Sequence, residues 1–248
     1  MALRFGIENI PSSPTNGLIM NVNVSNTSSY PGTGTTLTDL TGNGNNLTIA
    51  GSPTYTAPTV STPGFFSFPG GETTRHLIRN PFSMPTTTVS VALWLRQLTT
   101  RVLPEVGVGI FSYATTTIPG GDNSLLLYDQ NSRINGLQFS MAGVDTFTGL
   151  TVSNNRWSHV VMTTDRSTGR NTLYVDVSGQ FSFNTPTTPL LTSGGSLVIA
   201  QEQDAVGGGF DSNQAFIGDF SSLKIYNRVL SPSEVSVIFN NERALFGV

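Results

Sequence analysis

The chain has 248 residues, 37% of them hydrophobic with 15 Phe, only 11% charged, and a formal net charge of −3. That length fits one large β-sandwich and is short for two ordinary domains. With Lys224 the single lysine, there is no basic patch to neutralise phosphates, so nucleic acid is not an expected partner.

Residues 1–16 open as an arm interrupted by Pro11 and Pro14. The start, Met1-Ala2-Leu3-Arg4-Phe5-Gly6-Ile7, lacks the apolar core of a secretory signal. The arm has too few apolar residues to order itself and is expected to lie on another subunit or particle protein. Residues 17–248 read as one domain. Gly17–Val24 alternates, with Leu18, Met20, Val22 and Val24 on one face, and predicts a strand. Asp39–Asn45 has oxygen side chains at alternate positions and Gly44 sixth, but lacks the distal Glu of a calcium loop, so a structural turn is expected. Asn23, Asn26 and Asn46 fall in glycosylation sequons by chance of composition.

Further strands are predicted at 47–50, 64–69, 75–79, 88–97, 107–114, 123–129, 134–141, 157–165, 171–178, 195–201 and 214–226, with Arg166–Arg170 a hairpin loop. A short helix is expected over 231–241. Ser231 is its N-cap, Pro232 its first residue and Glu234 the partner of a capping box, while Leu230 and Val235 form a staple. His159 beside Trp157 reads as a packed strand residue. No apolar run reaches the roughly 18 residues of a transmembrane helix, so no membrane span is expected. The absence of cysteine removes any disulfide framework.

The chemistry concentrates in Gln201–Gln214. Glu202, Asp204 and Asp211 share this stretch with Gln203 and Gln214, and no positive residue lies among them. Glu202 and Asp204, two apart, would face the same way at a strand end. Gly207-Gly208-Gly209 then lets the chain return Asp211 and Gln214 towards them. Such mixed hard oxygen donors suit Ca2+.

From Val198 to Val235 the sequence resembles the C-terminal half of the pentraxins. The likeness extends back through His159-Val160-Val161-Met162-Thr163, Val108–Thr115 followed by Asp122-Asn123, and Phe66-Ser67-Phe68-Pro69. It covers roughly residues 64–243 and implies an all-β, concanavalin A-like or laminin-G-like jelly roll of two antiparallel sheets with one C-terminal helix. It also implies one Ca2+ held by Asp122, Asn123, Glu202, the carbonyl of Gln203 and Asp204, and a second by Glu202, Asp204, Asp211 and Gln214. Asp211 stands where the family usually has Glu. In the family the ion pair receives a phosphoryl or carboxylate group of phosphocholine or a glycan. Tyr128 and Asp145 match the apolar and acidic positions that take the ligand's other end, Tyr128 with an aromatic face suited to an ammonium. The family's disulfide between the two sheets is replaced by Ala92 and Val161, and its signature Trp by Thr164.

The opening block from Gly17 to Ala50 resembles laminin-G-like proteins of tailed phages, which suggests a virion protein, oligomeric or assembled on a particle with other virion proteins. It would be a non-enzymatic, calcium-dependent, lectin-like capsid decoration or tail-fibre adhesin. The alternative is a purely structural cement protein stabilised by calcium. A glycoside hydrolase is the weaker third reading. It needs Glu-x-Asp-x-x-Glu on one strand, and Gly207 stands where the second Glu belongs.

Overall fold

The computed structural model describes residues 11–98, 107–115, 124–130 and 136–248. Along the chain run β1 (Leu18–Asn23), β2 (Thr36–Leu37), β3 (Leu47–Ala50), β4 (Thr54–Thr56), β5 (Phe65–Pro69), β6 (His76–Phe82), β7 (Thr88–Gln97) and β8 (Val108–Ala114). They are followed by β9 (Leu125–Asp129), β10 (Leu137–Met141), β11 (Val144–Phe147), β12 (Trp157–Asp165), β13 (Arg170–Val175), β14 (Gly179–Asn184), β15 (Gly195–Ile199), β16 (Ile217–Tyr226) and α1 (Pro232–Phe246). The first sheet has the order β14-β13-β12-β7-β16-β5-β4 with β1 also on β16; the second is β11-β10-β9-β8-β15-β6-β3-β2. Every paired strand is antiparallel to its neighbour, as a jelly-roll sandwich requires.

The period of two explains the layering. On β7, Val89, Val91, Leu93 and Leu95 enter the core between the sheets, whereas Ala92 and Trp94 face outward beneath α1. Val235, Ile238, Phe239 and Phe246 are the buried side of that helix. The capping box forms as read, with the Glu234 amide donating to Ser231 and the Glu234 carboxylate accepting from the Ser231 amide. The helix runs to Phe246, beyond the expected 241, because Phe246 stacks on Trp94 with ring centroids 3.9 Å apart. Gly247 ends it in the left-handed region at φ 69°.

Some expectations change, while the structural turn at Asp39 and the packed His159 hold. Ala92 and Val161 do not bridge two sheets; they are direct cross-strand partners of β7 and β12 within the first sheet, under α1. Strands β2, β4, β11 and β14 are additions, and expected residues 123, 134 and 135 lie outside the described residues. Gln201 lies beyond the end of β15, and Gln214 ends a 3-10 turn, so the last strand starts only at Ile217. Asp39 is a turn organiser, accepting from the amides of Asn21, Thr41 and Asn45 and from the Thr41 hydroxyl. His159 is buried against Trp94. Of the opening arm, 11–16 touch the chain's own sandwich: Tyr226, Arg228 and Asn241 donate to the carbonyls of Pro14, Asn16 and Pro11.

Candidate metal and ligand site

The acidic loop begins where β15 stops. Ala200 takes φ 74°, turning the chain back over the outer face of the second sheet. The loop backbone then lies hard on β8: a Cβ at Gly109 would meet the Glu202 amide nitrogen at 2.7 Å and the Gln201 carbonyl carbon at 2.8 Å. Only glycine allows that approach.

Gln203 is the anchor. It is fully buried, and its Nε2 donates to the Ser112 carbonyl, the Ser112 hydroxyl and the Ser196 carbonyl at 3.2, 3.0 and 3.1 Å. Its Oε1 accepts from the Gly207 amide at 2.8 Å, closing the glycine turn. With the side chain committed inward, the backbone carbonyl is the part of Gln203 left for a ligand role. Gln201 ties the loop's start by donating to the Glu72 carbonyl at 2.8 Å. Phe210 packs against His76 with its ring tilted and the centroids 4.6 Å apart, holding the far side. Asp211 caps a single 3-10 turn at Ser212–Gln214, accepting from the Asn213 amide at 2.9 Å.

Glu202 and Asp204 are not strand neighbours on one face: Glu202 is buried and Asp204 exposed, on a loop. Their charges nevertheless bear on one buried group. Burial pushes the Tyr128 phenol far up, and the carboxylates of Glu202, Asp204, Asp211 and Asp145 push it further, so all four act on one hydroxyl. Tyr128 therefore stays neutral and able to donate. At 5% exposure it leaves little ring surface for stacking. Asp145 sits on the edge strand β11 and accepts from the Ser140 hydroxyl at 2.5 Å. A polar ladder continues behind it: Gln138 donates to Ser140 at 2.9 Å, and Gln130 to Gln138 at 2.7 Å.

The donor set fits a hard cation. Gln214 Oε1 and Gln201 Oε1 are buried and receive no hydrogen bond from the described residues. A buried amide oxygen left so costs about 1–3 kcal/mol, which ligation would relieve. Among the described residues no three carboxylate or imidazole groups already stand at cage spacing. Asp122 and Asn123 lie outside the described residues.

Sequence reasoning missed Gly109, Gln201 and the Gln130–Gln138–Ser140 ladder. A glycine inside the apolar run Val108-Gly109-Ile110 signals close approach. The polar alternation of Leu137-Gln138-Phe139-Ser140-Met141 marks an outer face that something covers.

A jelly-roll sandwich with a loop of oxygen donors laid over one outer face is the frame of a binding module. The chain belongs to the pentaxin (pentraxin) family, whose model matches residues 65–246. It is 33% identical to human Pentraxin-4 over 178 residues, 68% of this chain and 35% of that protein. It is 35% identical to neuronal pentraxin-2 of Cavia porcellus over 153 residues, 61% of this chain and 34% of that one. The chain thus spans about a third of the length of these curated relatives. Among solved structures, the heptameric SAP-like pentraxin of Limulus polyphemus superposes with a TM-score of 0.56 at 24% identity, covering 68% of this chain and 78% of that one. Domain 4 of the arabinanase AbnA from Geobacillus stearothermophilus, in complex with arabinotriose, gives a TM-score of 0.62 at 18% identity, covering 88% and 96%. Both structural likenesses speak for the fold alone.

Proposed function

We propose that this chain is a non-enzymatic, calcium-dependent, lectin-like binding protein whose loop Glu202–Gln214 holds one or two Ca2+ and presents them to an anionic ligand. The observation that carries the reading is the buried, donor-free oxygen of Gln214 on the loop that also carries Glu202, Asp204 and Asp211, whose charges, with that of Asp145, all bear on the Tyr128 phenol. Asp122, Asn123, Glu202, the Gln203 carbonyl and Asp204 would hold the first ion, and Glu202, Asp204, Asp211 and Gln214 the second. Bound calcium supplies positive charge that accepts a phosphate or carboxylate oxygen of the ligand. Tyr128 contributes its neutral hydroxyl rather than an open ring face. Asp145, steadied by Ser140 and the glutamines behind it, takes the cationic end of a zwitterion such as phosphocholine. Membership of the pentraxin family supports a saccharide or phosphocholine-like ligand.

Self-assembly belongs to the proposal. It is supported by the heptameric neighbour and by Val144 and Phe147, exposed on the edge strand β11; light scattering tests it. A place on a phage particle rests on the opening block and the cysteine-free composition, and mass spectrometry of purified particles decides it. The binding test is retention on immobilised phosphocholine and on a glycan array, with calcium and with chelator. Retention only with calcium, lost in Asp204→Ala, is the expected result. No calcium-dependent retention on either surface, while calcium still raises the melting point, would leave the cement role instead.

A further inference from the structure

The outer face of the first sheet, opposite the acidic loop, carries an open cleft of about 490 Å3 beside the C-terminal end of α1. That size suits a small ligand. Its centre is a guanidinium fixed on several sides. Arg96 lies 5.0 Å from the ring centroids of both Phe65 and Trp157. Its Nε and Nη2 both reach Asp219 Oδ2 at 2.7 Å, and Asp219 in turn accepts from the Ser67 hydroxyl at 2.6 Å. A side chain so held loses little rotamer freedom when it binds. Arg96 Nη1 is the one guanidinium nitrogen not engaged in the Asp219 pairing.

A second guanidinium borders the cleft. Arg156 is half-exposed and spends only Nη1, on Asp176 at 2.9 Å. Among the described residues that line the cleft, none is a carboxylate. Both acids pair with the arginines from behind, so the cleft itself presents two guanidinium edges. Planar forks of this kind match a carboxylate better than any neutral group. The exposed hydroxyl side chains of Ser61 and Thr62 on the rim are suited to sugar hydroxyls.

We propose that this cleft is a second, calcium-independent site for a carboxylate-bearing sugar, a uronic acid residue of a glycan. The molecule would then read acidic saccharide on one face through paired arginines and its calcium-dependent ligand on the other. The two sites share no residue, and the second stands whether or not calcium binds at the first.

The test is titration of the whole chain in chelator with glucuronate, glucose and acetate, followed at the Trp157 indole N–H by NMR. Trp94, buried under Phe246, serves as the internal reference. The expected result is a saturable Trp157 shift with glucuronate, with glucose and acetate each at least about tenfold weaker, since each lacks one half of the recognition. Arg156→Gln, at an exposed position, should fold normally and weaken glucuronate at least about fivefold by losing a charged hydrogen bond. No shift at Trp157, glucose equal to glucuronate, acetate equal to glucuronate, or unchanged affinity in Arg156→Gln would each overturn the assignment.

Discussion

Gln203 has no exposed surface and ties the acidic loop to Ser112, Ser196 and Gly207, while Asp204 beside it faces solvent. The two should therefore fail differently. In chelator, Gln203→Ala leaves the Gly207 amide without its acceptor at a cost of about 1–3 kcal/mol, lowering the melting point of a domain this long by roughly 2–12 °C. Asp204→Ala in chelator should move stability by no more than about 0.5 kcal/mol. Thermal melts of both variants check this. His159 supplies a pH signature. Burial against Trp94 lowers its imidazole to about 4, against an ordinary 6.5, with Glu242 pulling upward and Lys224 downward. The unfolded ring thus binds more protons than the folded one between those values. The stability from this group is complete above pH 6.5 and is lost as pH falls towards 4, amounting to roughly 3 kcal/mol. His159→Phe, which keeps the stacking, should flatten the melting-point curve between pH 6.5 and 4, measured against wild type. Glu234, held down to about 2 chiefly by its hydrogen bond to Arg228, adds a separate loss between 4.5 and 2. At this scale the oxygen-rich loop was legible because it stands out in a chain with 11% charge. The inward turn of the Gln203 side chain was not, because its partner Ser112 is 91 residues away in sequence.

Strands β7 and β12 match their sequence-derived bounds because both lie inside the first sheet, where long apolar alternation is needed to fill two faces. Strands β11 and β14 escaped for the opposite reason. They are the outermost strands of the two sheets, and their exposed positions carry Asp145, Gln180, Ser182 and Asn184, which read as loop. Asp145 accordingly lies on a strand that its sequence neighbours did not signal. The helix start was legible from local capping chemistry, its end only from the Trp94 shelf. Ser231→Ala should remove the cap at a cost of about 1 kcal/mol, or roughly 2–4 °C in a melt. The β7–β12 register offers a second check. Direct cross-strand partners have Cα atoms about 4.5–5.5 Å apart, within the range a disulfide spans. Ala92→Cys with Val161→Cys should therefore oxidise to a bond within one sheet, detected by loss of both free thiols; two persistent thiols would refute that register.

The whole molecule is a sandwich with different equipment on its two outer faces. The first sheet carries α1 and the arginine cleft, and the second carries the acidic loop held down by Gln203, Phe210 and the glycine at 109. Two-sheet architecture and family membership were readable from alternation and from the pentraxin-like segments, since both are properties of continuous stretches. The sheet order brings β15 beside β8, and β8 beside β9, so that the loop after β15 comes within electrostatic reach of Tyr128. That adjacency comes from pairing across the sheet, which no single segment states. The proposed calcium site exists only in the folded chain, where the loop is held against β8. Ions that bind only the folded state stabilise it by about 2.7 kcal/mol at a hundredfold excess over Kd, or roughly 5–11 °C for a domain of this length. The deciding measurement is the melting point of wild type, Asp204→Ala and Asp211→Ala with saturating calcium and with chelator. Wild type should rise by that amount, Asp204→Ala should lose nearly all of the rise, and Asp211→Ala should lose part of it. A wild-type melting point indifferent to calcium and chelator would contradict the proposed site.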